Sequence, residues 1–326
     1  MPSLETTYMG LTLKNPILAA SSGLTKTIEN VKACEKAGVG AVVLKSLFEE
    51  VLAEDDWNTN NGVLQHPEMY DYLRSELRYQ YGIDEYCTLI QKAKEETDIP
   101  IIASINGTSF KWLLKFARRT EAAGADALEL NVYLPRINEM VTGGAIEAAY
   151  FDVLEKIKAG ISIPVSMKIG MYFSSLPEFA RQLEYRKLDA LVMFNRFTEP
   201  EIDIENIDIH TTFSLSPKED INRLLRWTAI VSAKTNLEIS ATGGVHSYEG
   251  LVKLLLAGAS TVQLASVLYN KGLGEIETIL EQTSAWMQRH SFEMIDQFRG
   301  ILNFSEAENA ELYLRAQFME KIRAID

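Results

Sequence analysis

Short, almost wholly apolar runs recur eight times along the chain: PILAASS (16–22), AVVLKS (41–46), PIIASIN (100–106), DALELNV (126–132), PVSMKIG (164–170), DALVMFN (189–195), LEISATGG (237–244) and STVQLAS (260–266). A run this short with no polar alternation is a strand covered on both faces, as in a parallel sheet. Between the runs lie stretches such as IENVKACEKAG (28–38), FKWLLKFARRTEAAG (110–124) and AIEAAYFDVLEKIKAG (145–160), where apolar residues return at helical spacing. Eight successive strand–helix units predict an α/β fold that closes into a (β/α)8 TIM barrel. An open doubly wound sheet is the alternative, but no GxGxxG turn follows the first strand.

The chain has 326 residues, which suits one barrel domain over 1–326 with additions rather than two domains. Two segments fall outside the repeat. LETTYMGLTLKNP alternates like a short hairpin and is expected to cap one end of the barrel. Residues 47–88, acidic and aromatic, form an insertion between the second and third strands. An insertion there lies over the catalytic face, so it is a candidate lid or substrate loop; a helical surface elaboration explains it equally well.

Hydrophobic residues make up 47% of the chain and charged residues 24%, which excludes disorder. The formal net charge of −13 disfavours a nucleic-acid partner. Cys34 and Cys87 are the two cysteines, both in helix-like contexts, too few for a disulfide framework or a zinc site. The N-terminal residues have neither a basic region nor an apolar core of a signal peptide, and no apolar run approaches a membrane span. A cytoplasmic protein with no membrane partner is expected.

In a parallel barrel the functional candidates are polar residues at strand C-termini, because the loops there build the site. Lys45 and Ser46 end the second strand, Asn106 the third, Asn131 the fourth, Lys168 the fifth, Asn195 the sixth, Thr242-Gly243-Gly244 the seventh and Ala265-Ser266 the eighth. Alone, such a lysine is usually a surface charge, an asparagine a turn residue and a Gly-Gly pair a simple turn. Together, on one face, with apolar flanks around both lysines, they point to a phosphate-bearing cofactor held after strands seven and eight.

The motifs NPILAASSG, VLKS, SING, ELN, MKIG with MYF, FN, TGG and QLAS stand in an order and spacing that resembles the dihydroorotate dehydrogenases, flavin barrels of pyrimidine biosynthesis. The resemblance spans nearly the whole chain and implies FMN bound by Ser21, Ser22, Gly23, Lys45, Ser46, Asn131, Lys168, Gly243, Gly244, Ala265 and Ser266, with Asn106 as an addition. It further implies catalytic roles for Lys45 and Lys168. A lysine beside the pyrimidine edge of the flavin stabilises the anionic reduced form. Asn131 and Asn195 offer donor and acceptor groups to a substrate, and strand-end capping is the plain reading of each.

The sequence departs from the family pattern in three places. The family follows ELN with a Cys or Ser base and then Pro-Asn; here Leu134 holds the base position, Pro135 keeps the frame and Arg136 replaces the asparagine. The family's Gly-Leu-Pro-Asn substrate segment is absent from residues 47–88, and Arg196 stands where the family has a small hydroxyl residue. Arg136 and Arg196 are candidates for binding an anionic group of the substrate, and a pair of surface ion pairs is the equal alternative. A leucine accepts no proton, so Tyr133, Tyr172 and His66 are the substitute bases to weigh, while His210, His246 and His290 read as surface or packing residues.

The expected function is that of an FMN-dependent oxidoreductase acting on CH–CH groups, with dihydroorotate or a related small anionic compound as substrate. A non-catalytic or electron-relay flavoprotein is the alternative. Two dispersed cysteines hold no iron–sulfur cluster, so the electron acceptor is separate and its identity open; a homodimer is also left open.

Overall fold

In a computed structural model, which describes residues 2–49, 82–107, 110–132, 141–196, 200–211 and 215–314, the chain opens with the expected antiparallel hairpin, β1 (Thr6–Tyr8) and β2 (Leu11–Leu13). Its two-residue turn places Met9 at φ +53° and Gly10 at φ +73°, the left-handed pair that matches the twist of the flanking strands. Then follow β3 (Ile17–Ala19), α1 (Ile28–Lys36), β4 (Ala41–Val43), β5 (Leu47–Phe48), α2 (Ile83–Glu96), β6 (Ile101–Asn106), α3 (Phe110–Ala122) and β7 (Ala127–Asn131). The second half contributes α4 (Gly143–Lys158), β8 (Val165–Ile169), α5 (Leu176–Tyr185), β9 (Ala190–Met193), a hairpin of β10 (Pro200–Asp203) and β11 (Asp208–Thr211), α6 (Ile221–Ser232), β12 (Glu238–Thr242), α7 (Tyr248–Leu256), β13 (Thr261–Leu264), α8 (Ser266–Lys271) and α9 (Glu275–Arg289).

Eight parallel strands pair in the order β4-β3-β13-β12-β9-β8-β7-β6, and β4 pairs with β6 to close the ring. All eight apolar runs of the sequence supply these strands. Alternation sorts their side chains: Ile101, Ala103 and Ile105 of β6, with Leu128 and Leu130 of β7, pack outward beneath the helices, whereas Ile102 and Ala127 face the axis. The lower end of the barrel is filled by Tyr8, Met9 and Leu13 of the hairpin against Leu18, Ala41, Val43, Ile102, Ala127 and Ala190. The hairpin is therefore the expected cap. Glu238 ties it down by accepting the Met9 backbone N–H.

The helices cover the outer face as their spacing predicts. In α5, with Pro177 tolerated in the first turn, Leu176, Phe179, Ala180 and Leu183 form the buried stripe. Burying each large side chain of such a stripe contributes about 2 kcal/mol. Cys34 in α1 and Cys87 in α2 are buried free thiols, and burial pushes the Cys34 thiol up to about 11. Among the described residues no helix is long and apolar enough to cross a membrane.

Two expectations need correction. The insertion does not run over 47–88, because β5 lies beside β6, pairing Leu47 with Ile105 and Phe48 with Asn106, and α2 buries Tyr86, Cys87, Leu89, Ile90 and Ala93 against the barrel. The apolar residues at both ends of that stretch are needed to cover the sheet. Residues 50–81 between them, with His66, lie outside the described residues. A second departure from the repeat is β10–β11: the stretch between the sixth and seventh barrel strands, expected to be helical, contains EIDIENIDIH, whose period of two makes a hairpin with Ile202 opposite Ile209.

Candidate functional site

Strand pairing aligns the polar ends of three adjacent strands, since Asn106 is level with Asn131 and Asn131 with Lys168. All three sit at the C-terminal mouth of the barrel, the end at which such barrels carry their sites. Asn195, just beyond β9, completes the rim: its Nδ2 donates to Asn131 Oδ1 at 2.6 Å. The pair leaves further donors and an acceptor on two coupled amides facing one opening.

Lys168 is 8% exposed, and its Nζ lies 4.0 Å from Oε1 of Glu129, two residues below Asn131 on the axial face of β7. The other oxygen of Glu129 accepts from Gln263 Nε2 at 2.6 Å across the barrel from β13. Glu129 Oε1 and Gln263 Oε1 are buried without a hydrogen-bond partner among the described residues. A buried carboxylate is tolerated where a cation stands close by, so Glu129 supplies the counter-charge for the lysine at the end of β8. One layer lower, burial and then the charge of Glu129 push the Tyr8 hydroxyl far above the usual tyrosine range, keeping it neutral.

On the β3–β4 side, Ser21, Ser46 and Ser104 form a chain of hydroxyls: Ser46 Oγ lies 3.0 Å from Ser21 Oγ and 2.8 Å from Ser104 Oγ, and the Ser46 N–H donates to Ser21 Oγ at 2.9 Å. Lys45 stands half-buried beside them. Ser22 is committed differently, capping the following turn by accepting the Leu24 N–H at 3.2 Å. A Cβ at Gly23 would sit 2.7 Å from the hydroxyl of the exposed Tyr269, whose ring would have to shift to admit it.

The opposite side of the mouth is built from three loops. Gly243 and Gly244 follow β12 with φ of +115° and +69°, a conformation that L side chains resist. A Cβ on Gly244 would also come within 2.4 Å of the Ile221 nitrogen, so only glycine lets this loop approach the start of α6. Ser216 joins them: its Oγ accepts the Gly244 N–H at 3.2 Å and donates to Ser266 Oγ at 2.8 Å, while its own N–H donates to the same oxygen at 3.0 Å. These bonds use the Gly244 and Ser216 N–H groups within the cluster, so their effect is to order the loop ends after β12 and β13, the place where such barrels hold a phosphate.

Sequence reasoning passed over Glu129, Gln263, Ser216 and His246. Glu129 carried a usable signal, since it shares a strand face with Asn131 by alternation. Ser216, in SLSPKED, carried none, because its partners lie 28 and 50 residues away. His246, read as a surface or packing residue, is half-buried and holds the Ser216 carbonyl.

Arg196, which follows Asn195 at the rim, is exposed and ion-paired with Asp220 at 2.8 Å, just before the start of α6 beside Gly244. Tyr172 exposes 78% of its surface, His210 lies on the exposed β11, and His290 packs against the Trp286 ring. Tyr133, Leu134, Pro135 and Arg136 lie outside the described residues. Among the described residues no group of three or more His, Cys, Asp or Glu is placed to hold a metal ion.

Comparison with known proteins agrees with this architecture. A family model described as dihydroorotate dehydrogenase matches residues 3–287. Proteins named dihydroorotate dehydrogenase B (NAD(+)), catalytic subunit, are similar along almost their full length. The one from Thermoplasma volcanium is 27% identical over 307 residues, 92% of this chain and 99% of that protein. That from Thermoplasma acidophilum is 28% identical over 314 residues with the same coverage, and that from Bacillus mycoides 25% identical, covering 92% and 97%. With a matching model over most of its length, the chain belongs to the dihydroorotate dehydrogenase family.

Proposed function

We propose that the protein is an FMN-dependent oxidoreductase of the dihydroorotate dehydrogenase type, taking dihydroorotate or a closely related small anionic CH–CH compound. The observation that carries this reading is the joint placement of Lys168, Asn131 and Asn195 at one barrel mouth, within a chain of that family. Family membership favours this over the electron-relay alternative.

The residues fit FMN. The left-handed glycines, Ser216 and Ser266 suit its phosphate, the Ser21–Ser46 side suits polar edges of its ring, and Lys168 brings a cation balanced by a buried carboxylate. Bound FMN supplies a two-electron acceptor. With FMN bound, Lys168 would be the cation to stabilise negative charge on the ring, and its place beside Glu129 would hold it with little reorganisation. Lys45 assists from the neighbouring wall. The Asn131–Asn195 pair orients a planar substrate by donating to its carboxylate or carbonyl oxygens.

Removal of a C–H proton needs an acceptor, and Leu134 provides none. Tyr133 and His66 are the substitutes kept in this proposal, ahead of the exposed Tyr172. Relatives are named as catalytic subunits of an NAD(+) enzyme, which supports a separate protein as the electron acceptor. The chain's two cysteines agree with electrons leaving by that route.

The test is reconstitution with FMN, then anaerobic addition of dihydroorotate while flavin absorbance is followed. Tight FMN binding, weakened in Lys168→Ala, supports the reading. A protein with no affinity for FMN overturns it. Bound FMN that dihydroorotate neither reduces nor perturbs moves the substrate elsewhere within the CH–CH class.

A further inference from the structure

We infer that His246 is a positioning residue for the phosphate end of the cofactor, fastening the Ser216 segment across the ends of β12 and β13. The inference rests on the flavin reading above and deepens it, because it assigns work to a side chain that touches no ligand position itself.

Ser216 is buried, and its hydroxyl and N–H are both committed to the cradle, to Gly244 and Ser266. Its carbonyl faces the other way and meets His246 Nε2 at 2.7 Å. A carbonyl oxygen only accepts, so Nε2 carries the hydrogen and His246 is the donor. The next residue, Pro217, has no N–H, so the segment cannot secure itself through the following amide.

His246 is fixed in turn from a third element: its own carbonyl accepts from Lys271 Nζ at 3.2 Å, and Lys271 is paired with Glu275 at 2.7 Å. The loop after β12, the approach to α6 and helix α8 thus meet at one residue, whose imidazole holds the Ser216 segment and whose backbone carbonyl holds Lys271. Ser216 Oγ must lie where it can serve Gly244 and Ser266 together. A shift of its backbone by even an ångström breaks both contacts, since hydrogen bonds fail steeply with distance.

The prediction is selective for the phosphate end. Dissociation constants for FMN and for riboflavin, which shares the ring and sugar chain but lacks the phosphate, are measured by flavin fluorescence for the wild type, His246→Ala and His246→Gln. FMN binding should weaken about tenfold in His246→Ala, the loss of one hydrogen bond to a buried carbonyl, with riboflavin binding unchanged. His246→Gln, whose amide N–H reaches a similar point, should return FMN affinity to within about threefold of wild type. If His246→Ala fails to fold by circular dichroism, His246→Asn, too short to reach the carbonyl, takes its place with the same expectation. An unchanged ratio of FMN to riboflavin affinity overturns the inference, whether both ligands weaken or neither does. Failure of the wild type to bind either flavin is a different result, and it removes the flavin reading itself.

Discussion

Asn195 and Asn131, 64 residues apart in the chain, meet at the barrel mouth with the Asn195 amide donating to the Asn131 oxygen at 2.6 Å. The contact fixes which edge of each amide faces the opening. Replacing Asn195 by Ala removes the donor proposed for the substrate and frees Asn131 to rotate, so two effects act in one direction. Orotate, followed through its perturbation of the flavin spectrum, should bind at least about tenfold more weakly. FMN affinity should change by less than about threefold; an equal loss for both ligands would place Asn195 in the scaffold rather than at the substrate.

Lys168 and Glu129 form a buried pair, which makes the single variants informative against the double. Lys168→Met leaves the Glu129 carboxylate without its cation and should cost about 3 kcal/mol in urea unfolding of the apoprotein. Adding Glu129→Gln removes that orphaned charge and should recover at least about 1 kcal/mol. Additive losses would mean that the two groups do not interact.

The proposed function leaves Leu134 at the position expected for a proton acceptor. Dihydroorotate should therefore reduce the wild-type flavin slowly in single-turnover stopped flow, and Leu134→Cys should raise that rate by about 10²-fold. Fast reduction by the wild type would show that another side chain is the base.

Glu121 links α3 to the loop before β8, accepting from the Ser162 hydroxyl and N–H, both at 2.6 Å, and from the Ile163 N–H at 3.2 Å. The Ser162 hydroxyl bond in particular holds its carboxyl below the usual glutamate range. A depressed folded-state value stabilises the fold above the unfolded value and loses that stabilisation as pH falls through the folded one. Glu121→Gln should cost about 1 kcal/mol at pH 7, and the difference from wild type should vanish as the pH drops below about 4. Urea midpoints across that range measure it, and a gap that persists at low pH would mean the charge plays no part.

The repeat of apolar runs and helical spacing made the barrel legible before any coordinates. Each signal is local, a period of two or of 3.6 within one element. Parallel strands also point one way, so Lys168, Asn131 and Asn106 could be assigned to one mouth from their strand-end positions alone. Hairpin β10–β11 was readable too, by the alternation in EIDIENIDIH, but the surrounding repeat favoured a helix there. Ring closure decided the rest. Glu129 meets Gln263 across 134 residues, and Ser216 meets Gly244, His246 and Ser266 through loops whose sequences contain no pattern for it. Such contacts depend on where separate strands end in space, and no periodicity within one segment encodes the distance to another.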